Sequence, residues 1–289
     1  MFFIIGMVVV FGSVVTGYTM HGGNLMVLYQ PSEFVIILGA GIGSIIIGYP
    51  ISCIKKTLKG MKYLVKGSPY GKKEYMELLL FCFNTFKLMK IKGMLEIEQH
   101  IENPSESELF KSSPSLNKEK FIFEFMADNL RLMTMGVDNA FQFEDIMERE
   151  VDLYKSNAMI PGDVFSTLGD SLPAIGIVAA VLGVIVTMRS IMEPPDVLGA
   201  LIGAALVGTF LGVLLAYGLF GPIGHVLHKY GLYKVRFADC AKMGFISYMN
   251  GNPPIIIVEF MRKNIPEELR PSFQELDTYI NENSMKIMG

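Results

Sequence analysis

The chain has 289 residues, 51% hydrophobic and only 18% charged, with a mean hydropathy of +0.40 and a formal net charge of -3. That is too apolar for an ordinary soluble domain and too charged for a bare membrane bundle, so a few spanning helices plus a sizeable aqueous part are expected. The charge balance gives no strong basic field for nucleic acid, and the three cysteines, Cys53, Cys82 and Cys240, have no disulfide or zinc spacing and read as reduced thiols.

A spanning helix needs roughly 20 apolar residues. Phe2–Met20 is the first such run; it carries no charge and no basic leader or cleavage site, so it reads as a retained helix. Phe34–Ile51 is the second, crowded with Gly39, Ala40, Gly41, Gly43, Ser44 and Gly48. A polar region follows. GSPYGKK (Gly67–Lys73) approaches a phosphate loop, but its glycines are one residue too close and Lys73 stands where Ser or Thr is needed. From Glu74 to about Ile101 the apolar positions Leu78, Leu79, Cys82, Phe83, Phe86, Leu88 and Met89 predict one amphipathic helix. ENPSESE ends it at Pro104, and Ser105 with Glu108 has the spacing of a capping box. Glu119–Met135 and Phe141–Ser156 predict two more helices.

The third span is Leu172–Met188, within the stretch GDSLPAIGIVAAVLG that runs from Gly169 to Gly183. Asp170 and Pro173 are placed at its mouth, the proline in the first helical turn and the acid favouring the helix N-terminus by about 0.3–1 kcal/mol. The fourth span is Val197–Phe220, where Thr209 is the only hydroxyl and is expected to bond back to its own helix. Pro222 reads as its end signal. Gly176, Ala179, Ala180 and Gly183 in the third span, with Gly199, Gly203, Gly208 and Gly212 in the fourth, permit close helix approach in lipid. His225 and His228 read as an ordinary pair without a nearby acid or thiol. Beyond Pro222 a helix continues, then PPIIIVEFMRKNIP and PSFQELDTYINENS predict two short ones.

Lys and Arg number 16 in residues 52–168, 8 from Ile223 onward and one (Arg189) in the two short loops, 21–33 and 189–196. The short loops are therefore external, and both termini and residues 52–168 cytoplasmic. The expected organisation is all-α: transmembrane helices in 1–51, a cytoplasmic helical domain in 52–168, transmembrane helices in 169–222 and a cytoplasmic helical region in 223–289. No nucleophile–base arrangement, metal cluster or cofactor fingerprint stands out, so neither an enzyme nor a cofactor is expected. As bounded here, no span has Asp, Glu, Lys, Arg or His in its interior. An ion carrier needs one, so either the chain moves no ions or a partner supplies the carboxylate.

Four stretches, YQPSEFVIILGAGIGS, GDSLPAIGIVAAVLGVI, VGTFLGVLLAYGLFGP and PPIIIVEFMRKNI with RPSFQEL, together resemble the MotA family of flagellar motor stator proteins over essentially the whole chain. ExbB and TolQ belong to the same superfamily. The resemblance implies a ring of these subunits around a dimer of MotB, whose single span carries an aspartate. It implies protons passing between the two proteins, torque on the rotor protein FliG, and the bacterial inner membrane as location. It places Pro173, Pro222, Thr209 and Asp170 on the proton path or its conformational switch. Ala180 stands where sodium-driven relatives carry threonine, which implies protons. Lys90 and Glu98 fall on the family's rotor-contacting charges, with lysine where arginine is usual; eight residues apart on one helix, they can point to one side. An ExbB/TolQ-type energiser and a non-conducting scaffold are the alternative readings.

Overall fold

The computed structural model describes residues 2–104, 106–114, 116 and 120–284. Every regular element among them is helical. Ser105, half of the anticipated capping box, lies outside the described residues, as does Glu119. The chain divides into two compact units, one built from Met1–Gly67 and Met159–Gly231, the other from Ser68–Ala158 and Leu232–Gly289.

The first unit holds the apolar runs. It contains α1 (Phe2–Met20), α2 (Leu25–Leu28), α3 (Pro31–Gly48), α4 (Ile51–Gly60) and α5 (Lys62–Lys66). It also contains the latter part of α10 (Ala140–Thr187), α11 (Pro195–Leu215) and the start of α12 (Gly221–Met249). Among the described residues, four helices are long and apolar enough to cross a membrane. Three of them share a core of Ile37 and Ile45 of α3, Leu168, Leu172 and Ala179 of α10, and Val207, Leu211 and Leu215 of α11. Much apolar surface stays uncovered: Val8, Val9, Ile46, Ile47, Val178, Val186 and Leu206 are all exposed. Such a continuous apolar exterior is what lipid or other spanning helices cover.

Three expectations about helix ends fail here. The third span does not begin at Leu172. α10 is one helix of 48 residues that absorbs the anticipated Phe141–Ser156 helix and keeps both Pro161 and Pro173 in its interior. The fourth does not stop at Pro222. A five-residue π-turn, Ala216–Phe220, joins α11 directly to α12, and Pro222 is the second residue of that continuation. The helix ladder is indifferent to where the apolar run ends, so a change of composition need not be a change of structure. The second span likewise starts earlier than Phe34, at Pro31, which supplies the fixed φ of a first helical turn.

The second unit is built on aromatic packing. Its helices are α6 (Lys72–Lys92), α7 (Met94–Glu102), α8 (Glu108–Lys111), α9 (Lys120–Thr134), the first part of α10, the latter part of α12, α13 (Pro254–Lys263) and α14 (Phe273–Asn283). Phe245 is fully buried and meets Phe86, Phe125 and Phe143 edge-on, at centroid distances of 5.7, 6.3 and 6.1 Å. Tyr70 stacks on Phe237 at 3.9 Å. Cys82 and Cys240 are buried in this core and burial raises both thiol pKa values, which makes them poor nucleophiles. Ser272 and Glu275 form a capping box at the start of α14, and Glu275 also pairs with Lys72 at 2.7 Å. Those bonds hold its carboxyl down at about 2.

Candidate ion path and switch

The site is assembled on the crossing of α10 and α11, which glycine makes possible. A methyl group at Gly176 would come 2.8 Å from the Gly208 carbonyl oxygen and 3.0 Å from the Gly212 Cα. One at Gly212 would come 2.7 Å from the Leu172 carbonyl oxygen. The two backbones therefore touch with nothing between them, the small-residue packing that substitutes for a hydrophobic drive in lipid. The same antiparallel contact runs on in both directions. Gly169 lies against Gly221 and Ala216 at one end, and Gly183 lies against Ala205 at the other.

This crossing sorts the anticipated residues into two levels. At the first level Asp170 is exposed and Pro173 partly buried on α10, one turn from Gly169, which lies against Ala216 of the π-turn and Gly221; the neighbouring Pro222 is exposed. Because Pro173 is inside the helix, it is not a cheap first-turn residue, and Asp170 is not at a helix N-terminus. Pro173 has no N–H for the carbonyl of Gly169 and its ring crowds that oxygen, an arrangement that costs about 3 kcal/mol relative to alanine. Pro222 removes a donor from the other helix in the same way. There the ladder widens instead, and the N–H of Gly221 donates to the carbonyl of Ala216. π-Turns are rare and collect at functional sites. Gly169, whose carbonyl Pro173 leaves without its donor, thus packs against Ala216 and Gly221, the two residues of the widened π-turn bond.

At the second level, about 10 Å along the helix at 1.5 Å per residue, Ala180 is buried and its amide faces Gly208. Thr209 follows Gly208 and is partly buried. Its hydroxyl makes no hydrogen bond among the described residues, so the expected back-bond to its own helix is absent.

Glu33 also belongs to this level, and sequence reasoning missed it. A span that begins at Phe34 leaves Glu33 in a loop; in the structure it lies in the first turn of α3 and is only 5% exposed. Its Oε2 occupies the space a methyl at Gly208 would fill, and Oε1 lies 3.8 Å from the corresponding point at Gly183. Oε2 is buried with no hydrogen-bond partner. The helix N-terminus repays an acid by about 0.3–1 kcal/mol, whereas a buried polar atom left unpaired costs about 1–3 kcal/mol. The cost exceeds the gain, so capping does not explain Glu33. The usable signal was Pro31: a proline at N1 puts the acid two residues later inside the helix. Among the described residues of the spans, Glu33 is therefore the acid that is buried, whereas Asp170 and Asp196 are exposed.

Other anticipated features fall elsewhere. His228 is not without an acid: its Nε2 lies 3.1 Å from Asp163 Oδ1, and its ring packs over Gly162. His225 is exposed. Lys90 and Glu98, in the second unit, are not on one helix. Gly93, with φ of +84°, ends α6 and starts α7, so the angular argument from a single helix fails. Both charges are nevertheless exposed and neither makes an ion pair among the described residues. α7 docks through the buried Ile97 and Ile101, which leaves Glu98 facing outward.

Residues 4–93 match the family described as motility protein A N-terminal, and residues 117–231 match the MotA/TolQ/ExbB proton channel family. The chain is similar to motility protein A of Escherichia coli (strain K12), with 44% identity over 97% of this chain and 95% of that protein. It is 43% identical to motility protein A of Salmonella typhimurium, with the same coverage of both chains. Its fold is shared with a chain of the C. jejuni MotAB structure at a TM-score of 0.75 and 21% identity, over 94% of this chain and 98% of that one. Four apolar helices, a crossing of bare glycines and this continuous similarity agree: the chain belongs to the motility protein A family, as a multi-pass membrane protein and stator subunit of the MotA/TolQ/ExbB proton channel superfamily.

Proposed function

We propose that this chain forms a homo-oligomeric ring around a MotB-type single-span partner in the bacterial inner membrane and turns proton flow into torque on the rotor protein FliG. Both termini and the second unit are cytoplasmic in this reading, because the short loops are almost free of Lys and Arg. The observation that carries it is the pair of interrupted ladders at Pro173 and the π-turn. They give the α10–α11 crossing two ways to satisfy the carbonyls that the prolines leave free. A partner carboxylate that gains and loses a proton beside them biases the choice. One charge crossing 100 mV supplies about 2.3 kcal/mol, enough to move such a balance by more than tenfold.

Gly39, Gly43, Gly48, Gly199 and Gly203 meet no atom within 4 Å where a Cβ would stand. These bare faces suit close contact with neighbouring subunits or the partner helix. Protons are the coupling ion, since Ala180 offers no side-chain oxygen to a metal cation. Lys90 and Glu98 form no ion pair among the described residues and so are free for rotor charges.

The experiment is complementation. Expressed with its own partner in a motile species stripped of its stator genes, the chain should restore swimming and co-purify with the partner. A protonophore should stop the cells. Swimming that survives the protonophore, or stable expression and partner binding without motility, overturns the reading.

A further inference from the structure

Glu33 has no part in the roles that resemblance assigns, yet among the described residues it is the one acid buried in the spans. We propose that Glu33 is the proton-loading carboxyl of the outer half of the ion path, taking a proton from external water and passing it to the partner's membrane carboxylate. The inference rests on the stator reading for the direction of flow and on geometry for the residue.

Three observations converge. First, Glu33 lies in the first turn of α3, at the end of the span that joins the Lys- and Arg-free loop, and so on the external side in the orientation above. Second, its carboxyl rests in a purpose-shaped recess, since a side chain at Gly208 would occupy the position of Oε2 and one at Gly183 would crowd Oε1. Third, Oε2 is shielded from solvent and satisfied by nothing among the described residues, so the atom that would bind and release a proton is left for water or a partner group. A helix N-terminus alone would not make a site; an unpartnered, buried carboxyl oxygen seated on that turn does.

The recess also isolates its chemistry. Ala179, Ala180 and Gly183 of α10 and Ala205 and Gly208 of α11 line the contact, and none titrates. The nearest charged groups within those helices are Asp170 of α10 and Asp196 in the first turn of α11; Arg189 and Glu193 follow the end of α10, and Tyr217 follows α11. On α3 there is no other. The recess shares its level with Ala180 and Thr209, so a proton on Glu33 is already at the residues placed on the path. The transfer balances simply. An O–H bond of external hydronium breaks as one forms on Glu33, then that bond breaks as one forms on the partner carboxylate. Glu33 returns to its starting charge and one proton has advanced.

The test is the dependence of swimming speed on external pH at low load, with the membrane potential held constant, in a stator-deleted strain. Wild type must first restore motility; if it does not, the stator reading fails, not this inference. With Glu33 loading protons, wild-type speed saturates as external pH falls. E33Q should reach the membrane, bind the partner and run on the order of tenfold to a hundredfold slower at neutral pH. Its speed should rise in proportion to external proton concentration without saturating, because uptake is then direct. E33D, one methylene shorter, should keep saturation at a displaced midpoint. G208A should mimic E33Q by displacing the carboxyl, and the double variant with E33D should recover speed. E33Q with the wild-type profile, or with the same profile scaled down at every pH, overturns the proposal and leaves a packing role. If E33Q does not reach the membrane, E33D decides: a midpoint identical to wild type overturns it and a displaced one supports it.

Discussion

Replacing Pro173 by alanine should strengthen the helix and weaken the motor. In α10 the proline denies the Gly169 carbonyl its N–H and presses a ring against it. Alanine restores the bond and removes the clash, a change worth about 3 kcal/mol in an unconstrained helix. The gain here is smaller, on the order of 1–2 kcal/mol, because Gly169 and Gly176 already pin the helix against Gly221 and Gly212 and the surroundings are packed around the proline. The detergent-purified subunit should therefore unfold at an equal or higher temperature, by about 2–4 °C per kcal/mol. Membrane abundance and partner co-purification should not fall. Torque in tethered cells should nevertheless drop by about tenfold or more, because one of the two ladder arrangements has become too stable to leave. Near-normal torque would show that the interrupted ladder is idle. A lower unfolding temperature together with lost abundance would refute the reasoning from the other side, by showing that the proline is needed for packing and not for switching.

Charge reversal at Lys90 or Glu98 should impair motility more than neutralisation, since repulsion from a complementary rotor charge adds to the lost attraction; swimming-halo size with matched rotor reversals checks it, and a normally swimming K90E refutes the assigned face. Swimming speed should ignore external sodium at fixed pH and potential, and saturation with sodium would refute the argument from Ala180. In the second unit the Glu275 carboxyl sits at about 2, below its ordinary 4.5, because Lys72 and the start of α14 bond its charged form. A lowered folded value means stability present above 4.5 and lost as pH falls toward 2, so E275Q should flatten that part of the acid-unfolding curve, measured by circular dichroism.

The spans are legible because lipid demands long apolar runs, and the short helices near the C-terminus are legible from prolines that bracket them. Helix ends are not. Pro173 follows an acid and precedes an apolar run, the pattern of a helix start, but bare-glycine contacts with α11 hold the helix through it. Gly93 sits inside an apolar periodicity that reads as one helix; its positive φ is foreshadowed by Lys90 and Lys92 in the preceding turn, the usual company of a glycine that ends one. The Asp163–His228 pair is invisible in the sequence, since residues far apart along the chain meet only once two helices have packed. Glu33 is hidden by a choice of window: an acid next to an apolar run belongs by default to the loop because burial of an unpaired carboxyl is unfavourable, which is why its burial is informative.

If Lys90 and Glu98 contact the rotor as proposed, movement at the crossing has to reach them. α10 and α12 carry the two prolines and run on, without a break, into the second unit. There they meet again through Phe143 and Phe245, both fully buried. A side-chain rearrangement could be absorbed locally, but the Gly176–Gly212 contact is backbone on backbone, so a change in either ladder must displace a helix. The proposed mechanism therefore predicts that the stiffness of α10 matters. Ser156 and Asn157 lie on its exposed surface, where glycine costs about 0.5–1 kcal/mol each relative to a good helix former and adds flexibility. The double glycine variant should keep membrane abundance, partner binding and proton uptake, read from cytoplasmic pH, while torque per proton falls severalfold. Unchanged torque per proton would show that α10 does not transmit the movement. Proton uptake lost in parallel would show that the softened helix disturbs the crossing itself, and the separation of path from lever would be wrong.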